Sequence, residues 1–200
     1  MRGYSDRVNH ALAFAAKHHD RQVRQGTAAP YATHPANVAL ILTRYGCDED
    51  VVVAGILQDV VADSVRDGVT REDLVERIGR KWGQPVLEDV LAVTRRRTDD
   101  DGIELGKDEQ HDDLLARLAT ASDGARWVCA ADAVHATGSL LADVRRTIEP
   151  ATVWGRVAGG RDAAITRHRA THDRLRQVGF DGAIMAELAD LVDALALAPV

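Results

Sequence analysis

The stretch Ala54-Gly55-Ile56-Leu57-Gln58-Asp59-Val60-Val61-Ala62-Asp63-Ser64 decides how the rest of the chain is read. Run as a helix from Asp48, it turns Val51, Val52, Ile56, Leu57 and Val60 inward and sets Asp59 and Asp63 one turn apart on one face. Two carboxylates at that spacing repel each other on an exposed helix, so the pair is either solvated or tied to a cation. An apolar helix ending in polar groups is expected where a helical bundle opens a pocket.

Around this stretch the chain reads as helices. Ser5 is an N-cap, and Val8, Leu12, Phe14 and Ala15 keep helical period up to His18-His19. A polar connector from Asp20 to Thr33, with Gly26 and Pro30, precedes a helix opened by His34-Pro35, striped by Val38, Ile41, Leu42 and Tyr45 and stopped by Gly46. Past a turn at Asp67-Gly68, Thr70 caps a helix carrying Leu74 and Ile78, and Pro85 begins one striped by Val86, Val90 and Val93. Arg95 to Gly106 reads as a solvated, mobile loop. Leu114, Leu115 and Leu118 mark a helix running to about Asp123-Gly124, and residues 125–147 form the longest helical segment. Pro150, Gly155, Gly159 and Gly160 break the chain before two last helices, 161–178 and 182–197, separated by Gly179. No β-alternation persists, so the expected fold is all-α, one domain over residues 1–200.

Two hundred residues suffice for a full core without a disulfide or structural metal. Two cysteines, Cys47 and Cys129, with no C-x-x-C exclude a zinc ribbon or disulfide framework and suit a reducing, cytoplasmic setting. The opening Met1-Arg2-Gly3-Tyr4-Ser5-Asp6 has no signal-peptide run, and no apolar run approaches the ~20 residues of a membrane helix. A net charge of −6 disfavours nucleic acid as a partner, although Arg95-Arg96-Arg97 and Arg145-Arg146 are basic enough to meet a phosphorylated small molecule.

Four separated strings carry chemistry. The first is Leu57-Gln58-Asp59-Val60-Val61-Ala62-Asp63-Ser64. The second contains His19, Gln22, Arg24, Gln25, Pro30, Tyr31, His34 and Pro35. The third is Val128-Cys129-Ala130-Ala131-Asp132-Ala133-Val134-His135-Ala136. The fourth runs from Trp154 to Arg161. His34 taken alone reads as a helix-start residue, but an imidazole there can also be held rigid through its second nitrogen, as a metal ligand requires. Asp132, between alanines in an apolar segment, would cost several kcal/mol if buried bare, so it must meet a cation or donors.

In this order, over roughly residues 6 to 195, the strings resemble the HD-domain superfamily, in the form of the small Rel/Spo-type alarmone hydrolases (guanosine tetra/pentaphosphate 3′-pyrophosphohydrolases). The motif departs from the family's LHDVVEDT: Gln58-Asp59 stands for His-Asp, and Ala62-Asp63 for Glu-Asp. The late string departs from (K/S)LAD(K/R)LHN at Ala133 and Ala136. The resemblance implies a helical bundle and a divalent cation, manganese or magnesium, held by His34, Gln58, Asp59 and Asp132. It implies Asp63 as the surviving half of the Glu-Asp pair that assists the water. In a repurposed site with the metal weak or gone, Asp59, Asp63, His135 and Asp132 would be the acid-base groups. Arg24, Tyr31, Gln22 and His19 are the expected substrate contacts. Arg24 is expected to stack on or fork to a base, or else to pair with a surface carboxylate, and Tyr31 to form an aromatic wall.

A Gln oxygen ligates a hard cation more weakly than imidazole ligates a transition metal, and Ala62 has no carboxylate for the water proton. Gln25, Gln110, His111 and Ala133 stand where the family tends to place basic phosphate contacts. Three functions follow: an alarmone hydrolase-like protein with an impaired metal site and little hydrolysis; a metal-independent acid-base enzyme on a small biosynthetic intermediate; or a non-catalytic nucleotide-binding or partner protein. Without an ion, at least one crowded carboxylate is expected to titrate above its ordinary range unless a histidine such as His135 neutralises it.

Overall fold

The computed structural model describes residues 3–24, 29–63, 68–99 and 101–200, with the side chain of Asp63 outside it. Gln25, Ser64 and Asp67 therefore lie outside the described residues. Eleven helices run through the described residues: α1 (Asp6–His18), α2 (Thr33–Arg44), α3 (Glu49–Leu57), α4 (Val60–Asp63), α5 (Arg71–Trp82), α6 (Gln84–Val93), α7 (Lys107–Arg117), α8 (Asp123–Arg146), α9 (Pro150–Trp154), α10 (Gly160–Gln177) and α11 (Ile184–Ala196). The expected all-α bundle is what forms. Its axis is α8, packed against α2, α3, α6, α10 and α11.

The caps follow the sequence. Ser5 accepts a hydrogen bond from the Val8 amide, and Thr70 with Asp73 forms a capping box. The long helix starts earlier than its apolar pattern suggests, at Asp123, and α7 ends at Arg117 instead of running to Asp123-Gly124. Ser122 explains this: its hydroxyl oxygen accepts from the Ala125 amide at 2.9 Å, while its O–H donates to the buried Asp89. Pro150, expected only to break the chain, opens the short α9.

The central stretch is not one helix. It breaks at Gln58-Asp59 into α3 and α4. The Gln58 carbonyl is met from outside the helix by the Thr94 hydroxyl at 3.2 Å, beside that hydroxyl's bond to Val90 O at 2.7 Å. Arg117 fixes this end of α6 by donating to the Leu91, Ala92 and Thr94 carbonyls, and is itself held by Asp113. Asp113 also takes the Arg96 guanidinium, which holds its carboxyl below the ordinary range.

The segment 95–106, expected as a mobile loop, is a tight reversal. Thr98 and Glu104 form an antiparallel bridge. Asp99 Oδ1 accepts from the Asp101 and Ile103 amides at 2.9 and 2.8 Å, and Gly102 takes φ +80°. The polar composition that suggested disorder is turn chemistry.

Val38 and Leu42 of α2 meet Val52, Val53, Ile56 and Leu57 of α3 and Val128, Ala130 and Ala131 of α8 in the main core. Gly55 lets α2 and α3 approach. A Cβ there would lie 2.5 Å from Leu42 Cδ1 and 3.1 Å from Val38 Cγ1, both on fully buried residues. Gly55→Val should therefore destabilise the protein by about 1–3 kcal/mol through overpacking, more than the fraction of a kcal/mol it gains in helix propensity. Urea denaturation measures the difference, and an unchanged midpoint would refute the close approach.

Candidate functional site

Two carboxylates far apart in sequence converge on one imidazole. His34, in the first turn of α2, places Nε2 3.2 Å from Asp59 Oδ2, at the α3–α4 break, and 3.0 Å from Asp132 Oδ1, midway along α8. Gln58 Nε2 donates to Asp132 Oδ1 at 3.2 Å and lies 3.4 Å from His34 Nε2. Tyr31 donates its hydroxyl to Asp59 Oδ2 at 2.9 Å. On the other edge of the ring, His34 Nδ1 and His135 Nδ1 are 2.7 Å apart. His34 and Gln58 are buried; Asp59, Asp132, Tyr31 and His135 are partly exposed. His34, Gln58, Asp59, Asp132, Tyr31 and His135 thus share one cluster.

Burial works against a charge on His34, but its hydrogen bonds and attraction to Asp132 and Asp59 outweigh burial and raise its pKa to about 9. Burial likewise opposes the Asp132 carboxylate, and His34 overcomes it, holding that carboxyl far below the ordinary range. The expectation of a carboxylate pushed upward is met by its stated exception, with His34 as the neutralising histidine. His135 goes the other way: burial, the charge of His34 and that of Arg24 lower it to about 4. A protonated His34 donating to a neutral His135 accounts for the 2.7 Å contact.

The remaining candidates divide. Gln22 and Tyr31 line the adjoining cavity. His19 is 2% exposed and sits behind them, its Nδ1 2.7 Å from Gln22 Oε1 and its ring centroid 4.7 Å from that of Tyr31. Arg24 places Nη1 3.3 Å from both ring nitrogens of His135, the geometry of a guanidinium over an imidazole face. The Asp59–Asp63 pair cannot be described, because the Asp63 side chain lies outside the described residues.

The cavity, about 670 Å³, reaches from Tyr31 and Asp132 to α10. Arg95, Arg97, Lys107 and Arg167 line it, together with His111, His168, Gln110 and Ala133. The family's basic positions read as Gln25, Gln110, His111 and Ala133, but cations enter this cavity from other positions. The signal for two of them was in the sequence. Arg95 and Arg97 reach the cavity while Arg96, between them, turns to Asp113. Lys107 and Arg167 had no such signal.

Among the described residues no three His, Cys, Asp or Glu side chains are already set out as a metal cage. Hydrogen bonds from His34 and the Gln58 amide hold the oxygens instead. The donor types nevertheless suit a hard divalent ion, two carboxylates and an amide oxygen beside one imidazole. His135, accepting from His34 Nδ1–H, would fix the tautomer whose Nε2 is free to ligate. Occupancy would require His34 to lose its Nε2 proton and Gln58 to turn its amide oxygen inward.

The ion-free cluster gives a pH signature. A histidine whose pKa rises from 6.5 unfolded to about 9 folded stabilises fully below pH 6.5 and loses that contribution as pH rises through 9. Chelator-treated protein should lose on the order of 3 kcal/mol of unfolding free energy between pH 6.5 and 9.5. His34→Gln should flatten that slope, and urea titrations of both proteins across the range check it.

Comparison with known proteins identifies the family. The HD domain family model matches residues 11–152. Guanosine-3′,5′-bis(diphosphate) 3′-pyrophosphohydrolase of Aquifex aeolicus is 35% identical over 78 residues, 39% of this chain and 11% of that protein. The corresponding MESH1 enzyme of Drosophila melanogaster is 32% identical over 124 residues, 60% of this chain and 62% of that protein. The chain thus spans less than two thirds of either relative. A solved metazoan ortholog of SpoT, described as hydrolysing ppGpp, superimposes with a TM-score of 0.73 at 25% identity, covering 96% of this chain and 97% of that one. The lmo0812 structure from Listeria monocytogenes EGD-e gives 0.65 at 26%, covering 84% and 99%. The chain belongs to the HD domain family and is related to ppGpp 3′-pyrophosphohydrolases.

Proposed function

We propose that this protein binds a phosphorylated small molecule of the nucleotide class and is a weakened relative of the alarmone hydrolases, with little hydrolysis of guanosine 3′,5′-bis(diphosphate). The observation that carries the reading is the cavity bearing Arg95, Arg97, Lys107 and Arg167, which opens on Asp132 beside the His34 cluster. Four cationic side chains around about 670 Å³ suit a ligand with several phosphate charges. They also weigh against the reading in which the small biosynthetic intermediate carries no phosphate.

In this reading His34, Asp59, Asp132 and the turned Gln58 oxygen would hold manganese or magnesium. A divalent ion so held lowers the pKa of a bound water and polarises a phosphoryl oxygen. The chain's own residues do the rest. Arg95, Arg97, Lys107 and Arg167 bind and orient phosphates, Tyr31 holds Asp59, and His135 holds His34. Asp59, Asp63 and His135 are the acid-base groups the reading assigns, and Ala62 leaves Asp63 without its acidic neighbour. A second reading, metal-independent acid-base chemistry, draws support from the protonated His34 against neutral His135.

Two measurements test these readings. Gln58→His with Ala62→Glu should raise manganese affinity about tenfold or more, the low end of what even outer-sphere partners contribute, and should bring hydrolysis of guanosine 3′,5′-bis(diphosphate) with it. Tight stoichiometric manganese and brisk hydrolysis in the unmodified protein would sink the weakened-site reading. Lys107→Ala should weaken pyrophosphate binding roughly three- to tenfold, with the wild-type affinity falling as salt is raised. Calorimetry showing no pyrophosphate binding by wild type would remove the phosphorylated ligand itself.

A further inference from the structure

Thr137 and His168 belong to no motif discussed so far, and His168 lines the cavity. Thr137, on α8 one turn beyond Ala133, is fully buried. Its Oγ1 lies 2.7 Å from the Ala133 carbonyl and 2.9 Å from Nδ1 of His168 on α10. A hydroxyl has one hydrogen, and a carbonyl can only accept. The Thr137 O–H is therefore committed to Ala133 O, and Oγ1 must accept from His168. That makes Nδ1 of His168 the protonated nitrogen and leaves Nε2 with its lone pair on a ring that lines the cavity.

This lone pair sits in unusual company. Arg95, Arg97, Lys107 and Arg167, which share the cavity lining, are donors with no acceptor capacity. They match phosphate oxygens. The cations could themselves donate to this lone pair, but once a phosphate takes up their N–H groups, ionised phosphate has no hydrogen to give Nε2, and an O–H or N–H on the rest of the ligand is the donor that suits it. Burial, first, and the neighbouring Arg167 lower the His168 pKa to about 4, which keeps the ring neutral at ordinary pH.

Building on the phosphorylated-ligand reading, we propose that His168 Nε2, oriented by Thr137, is a specificity-determining acceptor that reads a hydroxyl or N–H donor on the non-phosphate part of the ligand. The site then selects a nucleoside or sugar phosphate over a bare polyphosphate. His168 is the binding residue, and Thr137 is a positioning residue.

The tautomer is measured first, on ligand-free protein, by long-range ¹H–¹⁵N correlation at neutral pH. Nδ1–H at His168 is expected, and Nε2–H would overturn the proposal whatever the protein binds. Calorimetry then compares guanosine 3′,5′-bis(diphosphate) with inorganic pyrophosphate. His168→Phe should weaken the nucleotide by roughly three- to tenfold, the worth of one hydrogen bond, with pyrophosphate binding unchanged. Thr137→Val should act in the same direction, and Thr137→Ser, which keeps the hydroxyl, should restore wild-type binding. Equal loss of both ligands, or no loss of either, overturns the proposal, as does wild type that binds pyrophosphate but not the nucleotide. Wild type that binds neither shows instead that the phosphorylated-ligand reading is wrong, with the tautomer result standing separately.

Discussion

One buried imidazole between two carboxylates sets the terms for the rest of the molecule. Leaving any of these groups unpaired in the protein would cost several kcal/mol, so α2, the α3–α4 break and α8 have to meet within hydrogen-bonding distance. The approach of α2 to α3 over Gly55, and the run Ala130-Ala131 on the buried face of α8, keep the backbones close enough. The break at Gln58-Asp59 is held from the far side by Thr94, and Thr94 by Arg117 and Asp113. The polar network around the cluster therefore runs out to the 95–106 reversal through Arg96.

That connection joins two regions of opposite sign. The cluster contributes two carboxylates against one imidazolium, while the neighbouring cavity brings Arg95, Arg97, Lys107 and Arg167. A net charge of −6 describes the whole surface and says nothing of this local field.

Much of the fold was legible because the helices are amphipathic and capped, and the site was legible wherever it sits on helices. His34 and Asp132 could be placed from short strings, since a helix fixes where a side chain points, and Asp59 from its motif although the helix breaks there. Three features were not legible. The α3–α4 break depends on Thr94, thirty-six residues away in sequence, which no local pattern reveals. The start of α8 depends on Ser122 and Asp89 rather than on apolar period. The cavity's cations come from a reversal and from two other helices, so only the folded chain brings Arg97, Lys107 and Arg167 together.

Gln58 is the residue on which the chemistry turns, and its surroundings explain why it need not be a defect. Where an imidazole would offer an ion its lone pair, the Gln58 amide donates to Asp132 Oδ1, and its backbone carbonyl is satisfied by Thr94. A buried amide so paired carries no desolvation debt, and it shares with His34 the task of holding Asp132 when no ion is present. An imidazole at this position would compete with His34 for the same carboxylate until an ion arrived. The Gln58 departure thus suits a cluster closed on its own hydrogen bonds. The cations of the cavity come from other residues, while Tyr31 and Asp132 belong both to the cluster and to the cavity lining.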